Sequence, residues 1–245
     1  MNTMSRKQRE IAEREGLILD VARTMLVERG YLGLTMDRIA SATEYSKGTI
    51  YQHFQNKEEI LAALAIESAE RRVALFEKAA TFPGRTRERL TAVGMAEELF
   101  VRLYPQHFQC ERIVDAQSIR EKTSDQRTQK LDHCEWGCMN VVLGLCRDAV
   151  AQSDLSYDDP ETPQRIVLGL WSMSNGFHFM NDLEGNPLQT KLGLQDAPRA
   201  LFLNYNRFLD GYGWKPLSTE WDYEASHTRI QNEVFADEYR RAYGS

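Results

Sequence analysis

Apolar residues recur along this chain at intervals of three and four, while alternation at every second position is nearly absent. Ile18, Val21, Ala22, Met25 and Leu26 follow the i, i+3, i+4, i+7, i+8 pattern, which predicts a first helix from about residue 6 to Glu28. Arg29-Gly30 ends it, glycine being suited to a left-handed cap. Thr35 precedes MDRIASAT as an N-cap, giving a second helix of about two turns. Glu44-Tyr45 forms the turn, and Ser46 caps a third short helix, KGTIYQHF. Asn56 and Glu59 resemble a capping box that opens a fourth helix reaching roughly Ala79.

Phe82-Pro83-Gly84 breaks the chain, and longer helices follow. Thr86 to Tyr104 carries Leu90, Val93, Ala96, Phe100 and Leu103 on one side, and Pro105 opens a shorter helix through about Ile119. Ser124 to about Gln152 is the longest, with Leu131, Cys134, Cys138, Val141, Val142, Leu145 and Ala149 as its stripe. Thr162-Pro163, an N-cap followed by proline, starts a helix to about Met180. Asp196 caps the next, which ends near Gly211. Ile230, Val234 and Tyr239 predict one more amphipathic helix in the tail. The expected fold is all-α: a three-helix domain over residues 1–56, a helical bundle over 57–217, and a tail from 218 to 245.

Composition adds little to that outline, but charge changes it. The 245 residues are 42% hydrophobic, an ordinary globular content. The opening MNTMSRKQREIAERE lacks the apolar segment of a signal peptide and no long apolar run follows, so a soluble, cytoplasmic protein without membrane contact is expected. The net charge is -6, which by itself argues against nucleic acid. Residues 1–60, however, hold 9 basic and 9 acidic side chains, leaving 21 and 27 for the rest. A neutral segment can still present a basic face if Arg6, Lys7, Arg9, Lys47 and Lys57 fold to one side.

A capped two-turn helix, a turn and a second short helix that is polar on one side make a helix-turn-helix. With Ile39, Ile50 and Phe54 packed inward against Ile18 to Leu26, the side chains of Lys47, Thr49, Gln52 and His53 stand outside. Such a helix fits the major groove, where Lys, Gln, Thr and His reach base edges while Tyr51 and lysines contact phosphates. Gly48 allows close approach of the backbone. Lys57, opening the fourth helix, can join main-chain N–H groups around a phosphate. The bland alternative is the polar surface of a bundle that binds no DNA.

The stretch TMDRIASATEYSKGTIYQHFQNKEEIL closely resembles the N-terminal signature of the TetR/AcrR family of bacterial repressors, above all in SKGTIYQHF followed by NKEEIL. The specific resemblance covers about residues 10–64. It implies a dimeric, all-helical repressor with a three-helix DNA-binding domain and a C-terminal effector-binding and dimerisation domain. It also implies DNA contacts at Lys47, Thr49, Tyr51 and His53, with Lys57 and Thr35 at phosphates. The family usually has glycine in the turn where this chain has Glu44. If that position needs a positive φ, glutamate costs on the order of 1 kcal/mol there.

In the C-terminal part, Ile166, Leu170, Met173, Phe177 and Met180 form one stripe of a helix, and Val167, Trp171, Ser174 and His178 another. A helix apolar on two sides must be covered on two sides. The following helix, with Leu201, Phe202, Tyr205, Phe208 and Leu209, is similarly rich, so a second subunit is the expected cover. Phe100, Tyr104, His107, Phe108, Trp171, Asn175, Phe177 and His178 together have the character of a pocket for a small aromatic or lipophilic effector, although for any one aromatic alone packing in the core is the better reading. Cys134, Cys138, His133, Cys110 and His107 raise the alternatives of a redox or zinc sensor; against these, both helical cysteines lie on an apolar stripe. No G-x-G-x-x-G, Walker loop, nucleophile elbow or H-E-x-x-H occurs, so neither catalysis nor a cofactor is expected.

Overall fold

The computed structural model describes residues 5–114, 117–181 and 188–244. Among them the chain forms α-helices and no strand: α1 (Arg6–Gly33), α2 (Met36–Thr43), α3 (Lys47–His53), α4 (Lys57–Ala80), α5 (Thr86–Leu103), α6 (Pro105–Val114), α7 (Gln117–Arg120), α8 (Asp125–Ala151), α9 (Thr162–Asn181), α10 (Leu188–Lys191), α11 (Ala197–Gly211), α12 (Tyr223–Glu233) and α13 (Ala236–Tyr243). No helix of the described residues is long and apolar enough to cross a membrane. Two compact units result: Met1–Ala74 with Leu99–Gly137, and Leu75–Glu98 with Cys138–Ser245.

In the first unit α1 packs on α2 and α6, and α2 on α3. Ile18, Ala22 and Leu26 of α1 meet Ile39, Ile50, Phe54, Ile60 and Leu64 in one core, which continues through Cys110, Ile119, Leu131 and Cys134. Gly30 takes φ 65, so the α1 ladder is interrupted there and the chain turns toward α2. Glu44 is left-handed at φ 57. The turn therefore keeps the conformation that favours glycine, and carries a strain of about 1 kcal/mol.

In the second unit the guanidinium of Arg87 is fully buried and donates to Asp210, to Asn206 and to the carbonyls of Trp214 and Pro216. Trp214 Nε1 donates to Thr86, whose hydroxyl donates to Asp154. The tail forms two helices instead of the single one expected. Ile230 and Phe235 are both fully buried. The chain leaves helical geometry at Phe235 and restarts at Ala236. α13 is then tied down by Glu238 to Lys78 and by Tyr243 to Glu98.

Candidate nucleic-acid interface

Side-chain caps build the α2–α3 pair. Thr35 accepts from the Arg38 amide at 3.3 Å, and Ser46 accepts from the Thr49 amide at 3.0 Å. Each cap satisfies an amide left open at a helix start, worth about 1 kcal/mol. Within α3, Ile50 alone is a buried residue, and Phe54 closes the helix from the core. Gly48 and Gln52 lie about 160° from Ile50, on the opposite side of the helix, with Thr49 and Tyr51 flanking them. Lys47, Gly48, Tyr51 and Gln52 are exposed, and Thr49 is half-buried with its hydroxyl 2.8 Å from that of Ser46. The outward face is thus polar, with a glycine where backbone can approach.

His53 departs from the sequence reading. It follows Ile50 by three positions and so points only about 60° from the buried direction. Its side chain is 8% exposed, and Nδ1 lies 3.3 Å from Glu15 of α1. The ring joins the end of α3 to α1 and does not stand outside with Gln52. Nothing local in the sequence signals this pairing, because Glu15 belongs to another helix.

Two lysines also have partners that the sequence reading missed. Lys47 Nζ lies 2.7 Å from Asp37, with both side chains well exposed; the carboxylate holds the ammonium above its ordinary range. Reaching a phosphate or base means exchanging Asp37 for it. Lys57 Nζ sits 3.7 Å over the Tyr31 ring and donates to the Tyr31 carbonyl at 3.3 Å. Tyr31 in turn donates to Glu58 at 2.8 Å, and burial together with that carboxylate raises its pKa. The expected box at the start of α4 is half formed: Asn56 accepts from the Glu59 amide at 2.8 Å, but the Glu59 carboxylate turns to Ser124 and Arg127.

The eight residues read as an effector pocket fall into two groups, four in each unit. In the first unit Phe100 and Tyr104 rings lie 5.9 Å apart, and His107 meets Tyr104 edge-on at 5.7 Å. Phe100, His107 and Phe108 are buried, and the Arg72 guanidinium lies 4.5 Å over Phe100. Burial first, then Arg23 and Arg71, lower the His107 pKa to about 4. In the second unit Trp171, Asn175 and Phe177 are half-buried and His178 is buried. All four cysteines are buried, and burial pushes Cys110 up to about 11 and Cys146 up to about 12. Among the described residues no group of three His, Cys, Asp or Glu side chains could hold a metal ion.

Comparison with known proteins bears on this part of the chain. The family model of the bacterial regulatory proteins of the tetR family matches residues 18–64, the span from the α1 core to the first turns of α4. The HTH-type transcriptional repressor AcnR of Corynebacterium efficiens is 46% identical over 54 residues, 22% of this chain and 29% of that repressor. The chain thus matches less than a third of that relative's length. The fatty acid metabolism regulator protein of Bacillus subtilis is 25% identical over 172 residues, 67% of this chain and 83% of that protein. Among solved structures, the TetR family transcriptional regulator PfmR of Thermus thermophilus shares the fold, with a TM-score of 0.59 at 21% identity over 77% of this chain and 94% of that one. Residues 18–64 thus match the tetR family model, and the described helices share the fold of a solved TetR-family regulator.

Proposed function

We propose that this protein is a homodimeric transcriptional repressor of the TetR/AcrR family that binds operator DNA through α3 and is released by a small aromatic or lipophilic effector. The observation that carries the reading is the polar outer face of α3, with Lys47, Gly48, Tyr51 and Gln52 exposed while Ile50 and Phe54 are held in the core. A short helix so presented fits a major groove roughly 12 Å wide. The comparisons support it: AcnR is a transcriptional repressor, and the tetR family model matches residues 18–64, which contain α3. Gln52 reads a base edge in this scheme, Thr49 and Tyr51 contact the flanks, and Lys47, Lys57 and Thr35 serve phosphates. His53 acts from behind, holding α3 on α1.

Dimerisation falls to α9 and α11, which pack together and leave Leu168 66%, Phe179 52% and Leu203 40% exposed. Apolar side chains of this size in such a cluster mark an interaction surface. The effector reading rests on the aromatic groups from Phe100 to Phe108 and from Trp171 to His178. Effector binding would favour a conformation whose two recognition helices no longer match successive major grooves. In this scheme residues 1–56 carry DNA binding, 57–217 effector binding and dimerisation, and 218–245 close the C-terminal part.

The test is selection of DNA from a random-sequence pool by the full-length protein, followed by footprinting. The expected product is a two-fold symmetric site with half-sites one helical turn, or a multiple of it, apart. Retention of DNA with no common sequence would overturn the reading.

A further inference from the structure

The end of the recognition helix is held by a segment far beyond the helix-turn-helix. The Arg127 guanidinium, near the start of α8, lies 5.0 Å over the ring of Phe54, the residue that closes α3. Its Nε is 2.6 Å from Glu59 of α4. The same carboxylate accepts the Ser124 amide and the Ser124 hydroxyl, capping α8 from outside it. Asn56 links the two sides a second time: its Oδ1 caps α4 and its Nδ2 donates to the Lys122 carbonyl at 3.1 Å. Lys122 Nζ approaches Glu58 at 3.8 Å, and Ile119 sits in the common core. Every one of these contacts lies within the first unit.

Phe54 is buried in the core with Ile18, Ile39 and Ile50, and Arg127 adds a contact to it from α8. α3 is seven residues long with one buried residue of its own, so its angle is set by what holds its two ends. Ser46 and the α2 turn hold the beginning. At the other end stand His53 on Glu15 and Phe54 beneath Arg127. A planar guanidinium on an aromatic face, itself fixed by a carboxylate, defines an orientation as well as a contact.

We propose that Arg127 and Glu59 are positioning residues for operator recognition: they fix Phe54, and through it the angle at which α3 enters the major groove. Neither side chain need touch DNA. The inference rests on the proposed DNA-binding role of α3 and adds to it that the working DNA-binding unit extends past residues 18–64 to the start of α8.

The experiment compares full-length wild type, Arg127→Ala, Arg127→Lys, Glu59→Gln and the Arg127→Ala/Glu59→Gln double variant on selected and on random DNA, over a range of salt. Arg127→Ala should lose about tenfold on the selected site, the scale of one cation–π contact, while random-DNA affinity and the salt slope stay as in wild type. Arg127→Lys, which keeps the charge and loses the plane, should recover only part of that. The double variant should be no worse than the poorer single one, since the two side chains act together. Lowered melting temperature with wild-type selectivity would make the pair merely structural and overturn the proposal. Equal loss on both DNAs with a shallower salt slope would make Arg127 a phosphate contact and overturn it too. If Arg127→Ala does not fold, full selectivity in the folded Arg127→Lys variant has the same consequence. A wild type with no sequence preference would sink the DNA-binding reading itself, whereas a selective wild type with selective variants sinks this inference alone.

Discussion

The outer faces of α3 and of α9 are exposed for opposite reasons. α3 offers Lys47, Gly48, Tyr51 and Gln52 to solvent, groups that water satisfies at no cost and that a base edge or phosphate can satisfy as well. α9, with its neighbour α11, offers Leu168, Phe179 and Leu203, which water does not satisfy, so that covering them is favourable at roughly 25 cal/mol per Å². A polar face can wait unoccupied and be used reversibly; an apolar one of this kind is stable only when covered. The first fits a partner that comes and goes, the second a permanent one.

Breaking the apolar face should have the larger effect. Leu168→Glu together with Phe179→Glu is expected to weaken the dimer by about 2 to 4 kcal/mol per site, the range for central interface residues, and to leave a monomer in sedimentation at micromolar concentration. An obligate interface of this type buries upwards of about 2,000 Å². Operator affinity should fall with it, since half-sites are then bound singly. A wild type that sediments as a monomer would remove the comparison's second half.

The polar face is sharpened by setting Gln52 against Lys57. Gln52→Ala should lose about 1 to 3 kcal/mol at one base position of each half-site, as a bidentate pair with adenine would. Lys57→Ala should weaken binding to every sequence and lower the salt slope by about one unit. Equal loss on selected and random DNA for Gln52→Ala, or an unchanged slope for Lys57→Ala, would reverse the assigned roles.

The helix caps and the outward face of α3 were legible in the sequence because the features that create them are local. Thr35, Ser46, Asn56 and Asp196 each cap the helix that follows them within three residues, and spacing from Ile50 tells which side of α3 faces out. What was not legible depends on side chains from other elements. His53 was read as outward, but Glu15, 38 residues earlier, draws its ring inward. Glu59 looked like half of a capping box, but Ser124, 65 residues later, takes its carboxylate. The tail's Ile230, Val234 and Tyr239 promised one helix, and the chain forms two, α12 and α13. Periodicity gives the direction of a side chain on its own helix; it does not give the partner.

Within the first unit, burial itself is testable through His107. Its ring meets Tyr104 edge-on and feels the charges of Arg23 and Asp20 from α1 and of Arg71 and Glu67 from α4. Its pKa falls from the ordinary 6.5 to about 4, so between those values the unfolded chain binds a proton that the folded one refuses. Stability attributable to this group is fully present above pH 6.5 and is lost as pH falls toward 4, by about 3 kcal/mol in all. Denaturant melts at pH 7 and pH 4.5 should show a larger drop for wild type than for His107→Gln. An equal drop would place the acid sensitivity on other groups.

The smallest expected effect concerns the thiols, where the contrast between a face that works and a core that only packs is sharpest. Cys134 and Cys138 are both buried, and burial raises the Cys134 pKa. The Cys134 thiolate is disfavoured and Cys138 is buried, so thiol reagents should react slowly with both in the native protein and quickly once it is unfolded. The double variant Cys134→Ala/Cys138→Ala should cost about 1 kcal/mol per site in stability, with operator binding intact. A redox sensor would do the reverse: one thiol would react fast in the folded state, and peroxide would release operator DNA. Release by peroxide in wild type that vanishes in the double variant would turn these two cysteines from packing into sensing groups.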